Sequence, residues 1–157
     1  MTRVHKVEKA RRDYPDHGIK KGEPYYWWAF RFGGKHMSKE PPRRSQTTQS
    51  AFYGTLWDIE DDLSALPADD GLKDALDDIA SRLRELGEEC QSSLDNMPEG
   101  LQQGDTGQLL QERIDGCESA ADELENIDCD VGSKGDDQTE EEFWQEKLDE
   151  AHQVSMP

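Results

Sequence analysis

Large core-forming side chains are scarce in this chain: Leu, Ile, Val and Phe together supply 26 of its 157 residues, about 17%. A share that low, joined to a formal charge of −18, marks a sequence with little to bury and excludes a large compact enzyme domain with a deep, enclosed active site. Long apolar runs are missing too. No stretch approaches the roughly 18 apolar residues of a membrane span, and Met1-Thr2-Arg3-Val4-His5-Lys6 has no apolar run behind it, so neither a spanning segment nor a secretory signal is expected. Cysteine is limited to Cys90, Cys117 and Cys129. That is an odd number with no close pair, which fits neither a disulfide framework nor a zinc site and agrees with a reducing cytoplasm. His5, His17, His36 and His152 are scattered without metal-ligand spacing. No glycine-rich phosphate loop follows a strand, and no Ser or Cys sits in a nucleophile motif. The expectation is a non-enzyme with no catalytic residues, no metal and no cofactor.

What is present is a division of charge. Residues 1–50 hold 12 Lys/Arg and 5 Asp/Glu, a net of +7, whereas residues 51–157 hold 6 Lys/Arg and 31 Asp/Glu, a net of −25. A basic head on an acidic body points to a head that meets a polyanion, or one that docks on its own body.

The head, residues 1–44, reads as a small antiparallel sheet. Tyr25-Tyr26-Trp27-Trp28-Ala29-Phe30-Arg31-Phe32 is rich in strand-favouring aromatics. Gly33-Gly34 suits a two-residue type I′ turn, because both central residues of that turn need positive φ. Lys35 to Lys39 then returns, with Phe30 expected opposite Met37 and Arg31 opposite His36. Alternation puts Tyr26, Trp28, Phe30 and Phe32 on a core face and Tyr25, Trp27, Ala29 and Arg31 on the other, with His36. Val4 to Arg12 offers a third strand, since an isolated hairpin is marginal in water. Basic residues interleaved with aromatics suit nucleic acid: cations neutralise phosphates, and exposed rings stack bases. The candidate nucleic-acid-binding residues are Tyr25, Trp27, Arg31, Lys35, His36, Lys39, Arg43 and Arg44. The competing expectation is that Tyr25 and Trp27 pack on the acidic body and merely hold the module together.

The body, residues 45–128, reads as helices over about 49–66, 70–97 and 107–128, with apolar steps of 4 and 3. Phe52, Leu56, Ile59, Leu63 and Leu66 mark the first, Leu72, Leu76, Ile79, Leu83, Leu86 and Cys90 the second, with Leu94 and Met97 shifted by one step, and Leu110, Ile114, Cys117, Ala121 and Leu124 the third. Ser45, Thr47 or Thr48 is the expected cap of the first, Asp69 or Asp70 of the second, and an Asp105–Gln108 capping box of the third. The short connection from Met97 to Thr106 makes the last two antiparallel neighbours, a helical hairpin or coiled coil with a narrow seam in which Cys90 and Cys117 act as small hydrophobes. Residues 129–138 read as a flexible linker. Residues 139–157 read as an amphipathic helix opened by a Thr139–Glu142 capping box. The fold class expected is therefore α+β, mainly α: a small N-terminal antiparallel sheet followed by an acidic helical hairpin.

Lys20-Lys21-Gly22-Glu23, Tyr25-Tyr26-Trp27-Trp28, Gly33-Gly34-Lys35, Ser38-Lys39, Pro41-Pro42 and Ser45-Gln46-Thr47-Thr48-Gln49-Ser50 form a pattern with Asn96-Met97-Pro98-Glu99-Gly100-Leu101-Gln102 and Gly107-Gln108-Leu109-Leu110. It resembles a recurring group of tailed-bacteriophage proteins over about residues 5–128. The resemblance implies a viral origin and the host cytoplasm, and no mechanism. The head also resembles the small arm-binding domains of phage integrases, in which a three-stranded sheet reads DNA. That likeness rests on an aromatic strand, Gly-Gly-Lys and Ser-Lys, without the recombinase catalytic domain.

These features lead to an expected function: a non-enzymatic phage accessory protein that binds DNA or RNA through its head. Its acidic helices would serve assembly, as in a homodimer, or contact with a host or phage protein, and no membrane partner is expected. Two alternatives remain open. The acidic body is a DNA mimic that inhibits a host DNA-binding protein, or the chain is a virion component.

Overall fold

The strands of the head and the long helices of the body form as separate compact units, one ending at Asp58 and the other running from Ile59 to Pro157. The computed structural model describes residues 2–157. The chain is α+β and mainly helical, with a small three-stranded sheet at the N-terminal end. Among the described residues, no helix is long and apolar enough to cross a membrane.

The first unit holds β1 (His5–Val7), β2 (Tyr25–Ala29) and β3 (Lys35–Ser38), antiparallel in the order β1-β2-β3. The aromatic run forms the central strand, where rings have neighbours on both sides. The long β1–β2 connection is itself folded. Ala10 and Glu23 are joined by a backbone hydrogen bond of 2.8 Å, Gly22 N–H donates to the Ala10 carbonyl, and Tyr14 bridges Ile19. Gly18 (φ +64°) and Gly22 (φ +92°) make its reversals in the left-handed region, which other residues enter only with strain. This connection lays Ala10 and Ile19 on Tyr25, and Val7, Tyr14, Trp27 and Met37 pack around them.

The hairpin departs from the two-residue turn expected at Gly33-Gly34. Neither glycine has positive φ, so a type I′ turn does not form, and residues 30–34 make the loop instead. Trp27 stands opposite Met37, and Trp28 opposite His36. The slip is three residues, an odd number, so it moves the returning strand's side chains to opposite faces. His36 lies on the Trp28 face, not beside Tyr25. Tyr25 is 6% exposed and Trp28 is 4% exposed, so β2 is covered on both faces and Tyr25 belongs to the core. Phe32, expected on the core face, is 82% exposed because it lies in the loop, beyond the reach of the strand's alternation.

After β3, a tight helical turn (Arg44–Thr47) leads to α1 (Ala51–Ser64). Ser50 Oγ accepts from Tyr53 N–H at 3.4 Å, so Ser50 holds the capping position foreseen for Ser45, Thr47 or Thr48. The start of the chain is laced to this region, with Thr2 N–H donating to the Thr47 carbonyl and Thr2 Oγ1 to that of Ala29. The division between the units falls within α1.

The second unit is built on α2 (Leu72–Asp95) and α4 (Asp105–Glu125), antiparallel and joined through the single turn α3 (Glu99–Gln102). Leu72, Leu76, Ile79, Ala80, Leu83, Leu86, Gly87 and Cys90 form the buried stripe of α2. Gly107, Cys117, Ala120, Ala121 and Leu124 form that of α4. Small residues let the helices approach closely: a Cβ on Gly87 would lie 3.3 Å from the Cys117 Cβ. Burial pushes the Cys117 thiol up to about 11, and both Cys90 and Cys117 fill the seam as small hydrophobes. Arg84 spans the pair, bonding Asp122 at 2.6 Å and also Glu125.

Two expected caps are not used. Asp69 Oδ1 accepts from Gly71 N–H just outside α2, whose cap is Gly71. Helix α4 starts at Asp105 itself, with Gly104 as cap, so the Asp105–Gln108 box does not form. Gly107 is in contact with the Gln102 backbone, and this tight passage draws the start of α4 toward α3. Helix α5 (Glu140–His152) does open on the Thr139–Glu142 box, and it buries Phe143, Trp144, Leu148 and Ala151. Between α4 and α5, Asp130 caps a short turn over Val131–Ser133.

Candidate nucleic-acid interface

The candidate residues occupy four different settings. Tyr25 is in the core of the first unit, its ring tilted against that of Tyr14 at 5.6 Å. Burial and the neighbouring Tyr14 phenol push Tyr25 above the ordinary phenol range, while the Tyr25 phenol and the Arg12 guanidinium hold Tyr14 below it. Tyr25 therefore offers no face to a ligand.

Trp27 is half-buried, and its ring is already engaged. The His5 imidazole, from the strand on one side, stacks on it at 4.3 Å and 11°. Lys35 Nζ, from the strand on the other side, stands 4.3 Å from the ring centroid. A base stacking on Trp27 would have to displace one of these groups. Lys35 is exposed and keeps its charge available on the open edge of this face.

On the opposite face, His36 stacks on Trp28 at 5.5 Å and meets Phe30 edge-on at 5.4 Å. Lys39, just past β3, pairs with Glu23 at 3.1 Å. A hydrogen bond from the Lys20 backbone and the Lys39 ammonium hold the Glu23 carboxyl below its usual range. Arg43 is exposed beside the turn into α1, and Arg44 lies over the Trp57 ring at 4.2 Å. Trp27 and Lys35 are thus brought together, whereas His36 is on the other face, Lys39 is paired with Glu23, and Arg43 and Arg44 lie past the sheet.

The β2–β3 loop supplies what the strand face does not. Arg31 is exposed, with its guanidinium carbon 5.2 Å from the centroid of the Phe32 ring. Beside the loop is an open cleft of about 290 Å³ lined by Thr2, Phe30, Arg31, Thr47, Thr48 and Gln49. Of these, sequence reasoning singled out Arg31 and missed His5, Phe32, Thr2, Phe30, Thr47, Thr48 and Gln49. Phe32 was legible as a loop residue only from its position against Gly33-Gly34, and the cleft depends on Thr2 lying beside the end of β2, which no local pattern announces.

Charge follows the units. All 12 Lys/Arg of the first unit are exposed. In the second unit a larger hollow, about 510 Å³, lies on α5 against Glu142, Gln145, Glu146, Asp149, Glu150 and Gln153, a lining that repels a polyanion. Among the described residues, no cluster of three or more His, Cys, Asp or Glu side chains is placed to hold a metal ion. Comparison with protein-family models, with curated proteins and with solved structures finds no match to this chain.

Proposed function

We propose that the chain is a non-enzymatic bacteriophage accessory protein, acting in the host cytoplasm, whose N-terminal unit binds nucleic acid and whose acidic helices contact a protein partner. The observation that carries this reading is the segregation of charge by folding unit. Up to Asp58 there are 12 Lys/Arg against 6 Asp/Glu, all of the cations exposed; from Ile59 on there are 6 against 30. Exposed cations on one small unit bind phosphates chiefly by releasing counterions, so affinity for any sequence should fall steeply with salt.

The test is a binding series on the full chain with duplex DNA, single-stranded DNA and RNA at two salt concentrations. Binding that weakens with salt is the expected outcome. Combining Lys35→Ala with Arg43→Ala should lower affinity for every sequence and flatten the salt slope by roughly one per lost phosphate contact. Failure to bind all three nucleic acids at low salt would overturn the proposal.

A second reading has its own observation. Glu142, Glu146 and Glu150 follow one another at i, i+4 on α5, a spacing at which like charges destabilise a helix. An acidic surface kept at that cost suits a mimic of the phosphate array, for which DNA should compete with the acidic unit for a host DNA-binding protein.

A further inference from the structure

The nucleic-acid reading leaves open where a base would be held, and the strand face is a poor answer: Tyr25 is buried and Trp27 is covered by His5 and Lys35. We infer that the β2–β3 loop and its adjoining cleft form a seat for unpaired nucleotides of a single strand. One base stacks on Phe32, its neighbour enters the cleft beside Phe30, and Arg31 holds the phosphate between them. The inference rests on the proposed function and deepens it.

Three observations converge on this seat. Phe32 is 82% exposed, a cost in water that no packing within the first unit offsets. An aromatic ring presented in this way, with an arginine over it, is the platform on which bases stack irrespective of sequence. The cleft, about 290 Å³, stands at the lower edge of the roughly 300–1,000 Å³ typical of small-ligand sites, enough for one planar base and far too small for a duplex.

The third observation is the donor and acceptor inventory of the lining. Thr48 Oγ1 accepts from Ser50 N–H and still has its own proton to give. Thr2 and Thr47 donate their hydroxyl protons to the Ala29 and Arg44 carbonyls and still have lone pairs to accept with. Gln49 is exposed, and among the described residues its side-chain amide has no hydrogen-bond partner, leaving both a donor and an acceptor for a base edge. Polar groups of both kinds beside an aromatic wall match a nucleobase better than a bare phosphate, which accepts only.

The experiment compares Phe32→Ala and Gln49→Ala with the unchanged full chain, by fluorescence anisotropy on labelled oligo-dT, oligo-dA, oligo-U and a duplex of the same length at low salt. Phe32→Ala should weaken single-strand binding about tenfold, the lower-middle of the range for losing one base stack. It should leave duplex binding and the melting temperature unchanged, since the ring is exposed. Gln49→Ala should level any preference between oligo-dT and oligo-dA. If the chain binds and Phe32→Ala changes nothing, or weakens duplex and single strand alike, the seat is wrong and the wider reading stands. If the chain binds none of the four probes, both fall together.

Discussion

The two units bury their interiors with opposite kinds of side chain. The first is small and uses large rings: Tyr25 and Trp28 on the two faces of one strand, with Tyr14, Trp27 and Met37 filling around them. The second has long helices and relies on small side chains, Gly87, Cys117, Ala120 and Ala121, between rows of Leu and Ile. A short strand offers few inward positions, so each must bring much area. A long helix pair offers many, so each residue can be small provided the backbones come close. A chain with so few large aliphatics can fold because each unit economises differently.

The sharpest way to break this comparison is to remove one residue from each interior. Trp28→Ala should cost about 3–5 kcal/mol, seen as a large drop in the stability of the aromatic near-ultraviolet signal, and Leu83→Ala about 2–5 kcal/mol, seen in helical circular dichroism. A finer version uses the Trp28 indole N–H, which is buried and has no hydrogen-bond partner among the described residues. An unpaired buried donor is itself destabilising. Trp28→Phe, which keeps a ring and removes that donor, should therefore cost much less than Trp28→Ala. Equal losses for the two would mean that the whole indole, not a ring alone, is needed there.

The close backbone approach of the second unit has its own test. A Cβ at Gly107 would fall 1.8 Å from the Gln102 carbonyl oxygen, whereas one at Gly100 meets nothing within 4 Å. Gly107→Ala should cost about 3 kcal/mol, the upper end for overpacking, because the obstacle is backbone and not a side chain that can turn away. Gly100→Ala, in the single turn α3, should be neutral or slightly stabilising. Thermal unfolding of the two variants reads the difference. If Gly107→Ala melts with the unchanged chain, α3 and α4 do not need to touch at this point.

Legibility in the sequence divides along the same line. Helices announce themselves by a repeat that survives an error of a residue or two: the expected 49–66, 70–97 and 107–128 correspond to Ala51–Ser64, Leu72–Asp95 and Asp105–Glu125. The three-stranded sheet was legible as well, from the aromatic run and the need for a third strand. Its faces were not, because strand pairing has a period of two and a single wrong turn reverses it. Gly33-Gly34 permits a type I′ turn without compelling it, and the longer loop lets Trp27 meet both Met37 and Lys35. Nor does alternation reveal the folded β1–β2 connection that covers Tyr25. The candidate site suffers most from this, since a stacking residue is defined by which way it points.

The smallest effect contrasts two helix starts that look alike on paper. Thr139 and Asp105 each precede a Glu or Gln by three residues, the pattern of a capping box. At Thr139 the box forms: its hydroxyl accepts from Glu142 N–H at 3.2 Å, and the Glu142 carboxylate accepts from Thr139 N–H at 2.9 Å. The Thr139 backbone N–H and the Thr139 hydroxyl, which donates to the same carboxylate oxygen at 3.0 Å, hold the Glu142 carboxyl below its usual range. At Asp105 it does not, because the helix has already begun and Gly104 occupies the cap. Thr139→Ala should therefore cost about 1 kcal/mol, while Asp105→Ala should change stability very little. The Glu142 contribution carries a pH signature. A carboxyl whose folded pKa is lowered stabilises above its unfolded value, and the stabilisation is lost as pH falls through the folded one. The gap between Thr139→Ala and the unchanged chain should therefore narrow on acidification through the carboxylate range. An equal loss from Asp105→Ala would show that α4 is capped by its first carboxylate after all.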